Sequence, residues 1–207
     1  MSPDFAEAIW RVLARLKLAS HGDGPEARQP AQLVMVTSAL AGEGKSTLAA
    51  SLGTHLAALG RRVVVVECDT RRPSLQRLVG APRGPGLTDF LTGRARIEDV
   101  VHHDPASGMS AVLAGERAAM AQRLLGSPAM LTMLIDLGRR YEVVILDTPP
   151  VTTVSDALLL APLADQILYV VRWGSTPESY ASAGIKQLRE VGGRVSGAVL
   201  SMATLRR

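Results

Sequence analysis

The stretch that most constrains this chain runs from Thr37 to Thr47 and reads Thr-Ser-Ala-Leu-Ala-Gly-Glu-Gly-Lys-Ser-Thr. It stands between an apolar run, Leu33-Val34-Met35-Val36, and a segment rich in Ala and Leu. A buried strand that turns through small residues into a helix aims successive backbone N–H groups inward. It also adds the positive end of the helix dipole, and together these make a cradle for polyphosphate. Lys45 at the loop's end supplies a point charge for the β- and γ-phosphates, and the hydroxyl of Ser46 is a magnesium ligand. The strict pattern asks for glycine at position 39, where this chain carries Ala39. The competing reading is a small-residue turn with a solvated lysine.

Two further apolar runs end in carboxylates. Val63-Val64-Val65-Val66 leads into Glu67-Cys68-Asp69-Thr70-Arg71-Arg72-Pro73, and Val143-Val144-Ile145-Leu146 leads into Asp147-Thr148-Pro149-Pro150. Strand alternation predicts that Glu67 and Asp69 point the same way, at the sheet edge where parallel α/β folds bind ligands. Such a pair can hold magnesium and accept a proton; it can equally cap the following turn. Asp147 stands where a strand-end aspartate completes a magnesium shell opposite the Ser46 hydroxyl, although a lone strand-end aspartate serves a turn just as well. Cys68 reads as a packing residue.

Between and beyond these runs, helical and strand patterns alternate. Helices are expected over 48–59, 87–93, 128–140 and 177–191, the last with Thr176 as N-cap. Strands are expected over 110–113, 166–171 and 195–201. The alternation predicts an α/β fold of P-loop NTPase type, a three-layer sandwich with a mostly parallel sheet and helices on both faces. Ahead of it, Ala6, Ile9, Trp10, Leu13 and Leu16 recur at helical spacing. The expected organisation is an N-terminal helix over 1–20 as an oligomerisation element, a linker over 21–31, and the nucleotide-binding domain over 32–207.

Composition excludes several classes. No stretch approaches the roughly 20 apolar residues of a membrane helix, so a soluble domain is expected. The net charge is only +4 and aromatics are 3% of the chain, which leaves no stacking platform for nucleic acid. The single cysteine fits a reducing compartment, charged residues interrupt any signal-peptide core, and His102 and His103 lack partners at metal-ligand spacing.

Ser38 to Thr47, Glu67-Cys-Asp-Thr-Arg-Arg-Pro73 and Val143-Val-Ile-Leu-Asp-Thr-Pro-Pro150 resemble the Walker A, A′ and B motifs of the bacterial tyrosine kinases. These are the cytoplasmic kinases or kinase domains of the polysaccharide co-polymerase systems that govern capsule and exopolysaccharide export. The likeness covers about residues 5 to 203, with Leu124-Leu-Gly-Ser127 and Val170-Val-Arg172 in place. It implies ATP with Mg2+, transfer of the γ-phosphate to tyrosines of a neighbouring subunit, and a ring-shaped homo-oligomer. It also implies a membrane co-polymerase, as partner or fused domain, at the inner face of the membrane. Carried over by position, Ala41, Gly42, Glu43, Gly44, Lys45, Ser46 and Thr47 surround the phosphates. Ser46, Asp69 and Asp147 serve the metal, Glu67 is the general base, and Arg71 matches the arginine of the A′ motif.

The sequence departs from that pattern at four places. Glu67 replaces the usual aspartate, Glu7, Arg11 and Arg15 are spaced by four rather than three, and Ser201 stands where an asparagine often closes the last strand. In place of a tyrosine-rich tail the sequence ends in Leu205-Arg206-Arg207, so the acceptor is expected in a lost tail or in another protein. An alternative function is therefore an ATP-dependent interaction switch with little kinase chemistry. A partitioning ATPase fits less well, because Leu40 occupies the place of its second lysine.

Overall fold

The computed structural model describes residues 3–18, 30–81, 84–116 and 121–203. The expected linker lies mostly outside these, as do the last four residues. The chain begins with α1 (Pro3–Arg15), then β1 (Gln32–Ser38), α2 (Lys45–Ala58), β2 (Val63–Glu67), α3 (Leu75–Val79), α4 (Leu87–Leu91) and α5 (Ile97–Val100). It continues with β3 (Val101–His103), β4 (Ser110–Val112), α6 (Ala121–Leu125), α7 (Pro128–Arg140), β5 (Val143–Asp147), α8 (Asp156–Leu160), β6 (Gln166–Arg172), α9 (Glu178–Glu190) and β7 (Val195–Ser201).

The seven strands form one sheet in the order β3-β4-β2-β5-β1-β6-β7, parallel throughout except for β3 against β4. Both faces are covered, so the central strands are apolar without alternation, and successive side chains enter two separate cores. Met35, Val64, Val66, Val144, Leu146 and Tyr169 face a cluster completed by α4 to α9. Val34, Val36, Val65, Ile145 and Val170 face a second cluster, closed by Ile9 and Leu13 of α1, Leu52 and Leu56 of α2, and Leu75. The three expected layers are these two helical layers and the sheet between them.

Two local expectations changed. Trp10 is 41% exposed although its spacing places it beside the apolar face of α1, and Leu16 and Leu18 are the residues that extend that helix's buried contact. Thr176 does not cap α9, whose N-cap is Pro177; its hydroxyl is used elsewhere, as described below. Glu7 and Arg11 form the within-helix pair that their spacing allows, at 3.1 Å.

Gly53 lets α2 approach β2 closely. A Cβ there would lie 2.7 Å from Val65 Cγ2 and collide with Met109 Sδ. Gly53→Ala is therefore expected to destabilise the protein by about 1–3 kcal/mol through overpacking. The change should run against the gain of roughly 1 kcal/mol that alanine brings to an exposed helix, and urea unfolding measures its sign.

Candidate active site

Parallel strands align their carboxyl ends, so the segments after β1, β2, β5, β6 and β7 meet at one edge. The loop after β1 is clipped to the segment after β5. Thr37 Oγ1 donates to Pro149 O at 2.9 Å, Thr148 Oγ1 to Val36 O at 3.1 Å, and Thr152 Oγ1 to Ala39 O. Ala39, at the position where the strict pattern has glycine, buries its methyl completely in the α4–α9 core. A Cβ is useful there.

Gly42 and Gly44 take φ of 79° and 88°, a left-handed backbone natural to glycine. Gly44 is the N-cap of α2 and no side chain caps that end, so the first N–H groups of the helix suit an anion. Ala41 and Gly42 are exposed on the loop, and in the first turn of α2 Thr47 is exposed while Lys45 and Ser46 are buried.

Glu43 supports the loop from within through its side chain. Its side chain turns inward and is buried; Oε2 accepts the Leu40 N–H at 2.7 Å, and Oε1 accepts the Thr176 hydroxyl. Ser201 Oγ donates to the Glu43 carbonyl at 2.6 Å. The carboxylate thus fixes the loop's shape by tying it to the ends of β6 and β7. Thr176 and Ser201 become loop-supporting residues, which spacing along the chain could not show.

The A′ carboxylates divide their work. Glu67 ends β2 and accepts N–H groups from Ser74 (2.5 Å), Leu75 (2.6 Å) and Ala114 (3.1 Å), so it does cap the turn into α3. Burial pushes its carboxyl up from the ordinary range, against these three donors. It also borders a cleft of about 810 Å3 lined with Pro73, Gln76, Asp89, Ala114 and Glu116. Asp69 lies beyond the end of the strand, where alternation no longer rules. Its Oδ2 is 3.4 Å from Lys45 Nζ and its Oδ1 accepts the Arg72 N–H. Arg71 forms a two-pronged pair with buried Asp156 of α8, at 3.2 and 3.4 Å. Asp156 fixes the A′ arginine, and nothing in its own sequence neighbourhood marks it. Cys68 is buried, as a packing residue is.

Asp147 is fully buried and both of its oxygens lack a hydrogen-bond partner. Burial raises its pKa to about 7; the Lys45 charge and the nearby Ser46 hydroxyl oppose this without closing a bond of ordinary geometry, and Glu67 and Asp69 add to it. An unsatisfied buried carboxylate beside a lysine and a serine is a fit for a divalent cation that brings its own phosphate ligands. Among the described residues no three His, Cys, Asp or Glu gather into a metal cage.

The raised pKa of Asp147 has a consequence for stability. The folded chain retains a proton there that the unfolded chain has released, so this contribution is complete below about pH 4 and lost as pH rises through about 7. Asp147→Asn should therefore stabilise the nucleotide-free protein at pH 8 by about 1–3 kcal/mol. The gain should shrink toward pH 5, and calorimetry at the two pH values measures it.

Comparison with known proteins agrees with this geometry. The AAA domain family matches residues 31–199. The succinoglycan biosynthesis transport protein ExoP of Rhizobium meliloti (strain 1021) is 31% identical over 173 residues, 82% of this chain and 22% of ExoP, so the chain spans about a fifth of that relative. The tyrosine-protein kinase YwqD of Bacillus subtilis (strain 168) is 30% identical over 168 residues, 81% of this chain and 71% of YwqD. The solved kinase domain of the Escherichia coli tyrosine kinase ETK superposes with a TM-score of 0.89 at 25% identity, covering 97% of this chain and 76% of that one. The strand-loop-helix cradle, its supporting carboxylates and these matches together place the chain in the AAA domain family, as a member of the bacterial tyrosine kinases.

Proposed function

We propose that this chain is an ATP- and Mg2+-dependent kinase module that transfers the γ-phosphate of ATP to protein tyrosine, within a system controlling exopolysaccharide or capsule synthesis and export. The observation that carries the reading is Asp147, a buried carboxylate without a partner facing Lys45 and Ser46 beneath an uncapped helix end. In this reading Lys45 leaves Asp69 to hold the β- and γ-phosphates, and the loop N–H groups take the remaining oxygens. Ser46 and Asp147, supported by Asp69, would hold Mg2+, which supplies positive charge to the transferring phosphoryl group. Glu67 borders the cleft through which an acceptor hydroxyl can arrive, and its raised pKa suits a base that takes the phenolic proton. Asp156 holds Arg71 in place.

We further propose a membrane co-polymerase as partner and a homo-oligomer as the working assembly, on the strength of the family resemblance. Among the described residues no helix is long and apolar enough to cross a membrane. Attachment to the inner membrane would therefore come from a partner or a fused domain.

One observation favours the second reading, an ATP-dependent switch with little kinase chemistry. The oxygens of Glu67 already accept three backbone N–H groups, as a purely structural carboxylate does. Glu67→Gln separates the two. It keeps an acceptor oxygen, and a base role predicts a loss of about 10²-fold or more in phosphotransfer with unchanged ATP affinity. An unaltered rate of tyrosine phosphorylation would overturn the base role of Glu67, whereas ATP turnover without tyrosine phosphorylation by the unmodified chain would favour the switch. Lys45→Ala is expected to weaken Mg·ATP binding roughly 10- to 100-fold, the loss of about 1.5–3 kcal/mol from a charged hydrogen bond. Calorimetric titration measures it, and an unchanged affinity would overturn the site.

A further inference from the structure

We infer that Tyr180 is a phosphate-acceptor site, modified in trans by a second copy of this chain. The inference rests on the kinase reading above. The sequence holds three tyrosines, and the structure separates them sharply.

Tyr169 lies within β6 with no exposed surface. Its hydroxyl is buried without a hydrogen-bond partner, against Gly184, so α9 seals it in. Burial raises its pKa and the Glu43 charge adds to this, the reverse of what an attacking phenol needs. Tyr141 joins α7 to β5. It packs against the core, and it stands at the amino end of β5, the edge opposite the phosphate loop. Neither can present its hydroxyl to a nucleotide in the folded protein.

Tyr180 differs on each count. It is 50% exposed, in the first turn of α9, which starts at the carboxyl end of β6 and so on the edge that carries the loop. Tyr180, Gly184 and Leu188 share one stripe at four-residue spacing, and the last two are buried. Tyr180 therefore continues the inward stripe past the rim of the sheet. Its N–H is held by Pro177 O, within a helical first turn, and such turns open at low cost.

Sheet order determines which site it can reach. Along β2-β5-β1-β6, the carboxylates Glu67, Asp69 and Asp147 lie on one side of the loop that follows β1, and Tyr180 lies on the other. The cleft bordering Glu67 opens on the carboxylate side, so the chain's own Tyr180 would have to cross the occupied loop to enter it. A second copy, bringing its β6–α9 edge to that cleft, avoids the obstacle. Tyr180 Oη then bonds to the γ-phosphorus while the bond from that phosphorus to the β,γ-bridging oxygen breaks. ADP leaves with the electron pair, and the phenolic proton passes to Glu67. The phosphate ends in the first turn of a 13-residue helix, where the dipole favours an anion.

The test mixes two variants with Mg·ATP: a Lys45→Ala chain, tagged to change its mass, and an untagged Tyr180→Phe chain, with a Glu/Tyr copolymer phosphorylated in parallel. The expected result is phosphotyrosine on the tagged chain, mapped to Tyr180 by mass spectrometry, and equal copolymer labelling by the Tyr180→Phe and unmodified proteins. Label that requires Lys45 and Tyr180 in the same chain, label at Tyr141 instead, or a labelled copolymer with unlabelled Tyr180 would overturn the inference while leaving the kinase reading intact. No phosphotyrosine on chain or copolymer would overturn both.

Discussion

Parallel pairing of β1 with β5 on one side and β6 on the other is the constraint from which the site follows. The strands are far apart in sequence, and only their register brings Ser38, Asp147 and Arg172 to a common edge. Parallel strands need crossovers that cover both faces, so the pairing also dictates two helical layers and an apolar sheet interior. That interior fixes the strand ends closely enough for single hydroxyls, such as those of Thr37 and Thr148, to lock one loop to the next.

Electrostatics at the edge work against the fold. Glu43, Glu67, Asp69 and Asp147 are all buried there, and Lys45 is buried among them. Three of the carboxylates find partners: the Leu40 amide and the Thr176 hydroxyl for Glu43, amides for Glu67, Lys45 for Asp69. Asp147 finds none, and its raised pKa records that desolvation. A buried group left unsatisfied in this way stores a preference for a cation, because a bound charge removes a cost that the folded chain otherwise carries.

Much of the fold was legible in the sequence. The strands at 63–67, 143–147, 166–172 and 195–201 are apolar runs, and the helix after Ser127-Pro128 begins and ends where its cap and charges indicate. Among the strands the exception is β3, three residues with two histidines, which is a strand only because β4 offers it an antiparallel edge, and the short helices α3, α5, α6 and α8 carried too few residues to show a period. Trp10 shows the other limit, since spacing says which residues can share a helix face but not how far the partner surface extends.

By itself the sequence determined the phosphate loop, the strand-end acids and the α/β alternation, because each is encoded within a dozen consecutive residues. Tertiary structure alone decided how those groups are used. It turned Glu43 inward onto Thr176, separated Glu67 from Asp69 and paired Arg71 with Asp156 across 85 positions. It also left Tyr180 as the tyrosine that reaches the surface at the loop's own edge. These are long-range contacts set by strand order and layer packing. A linear pattern carries no record of which distant segment will occupy the neighbouring strand.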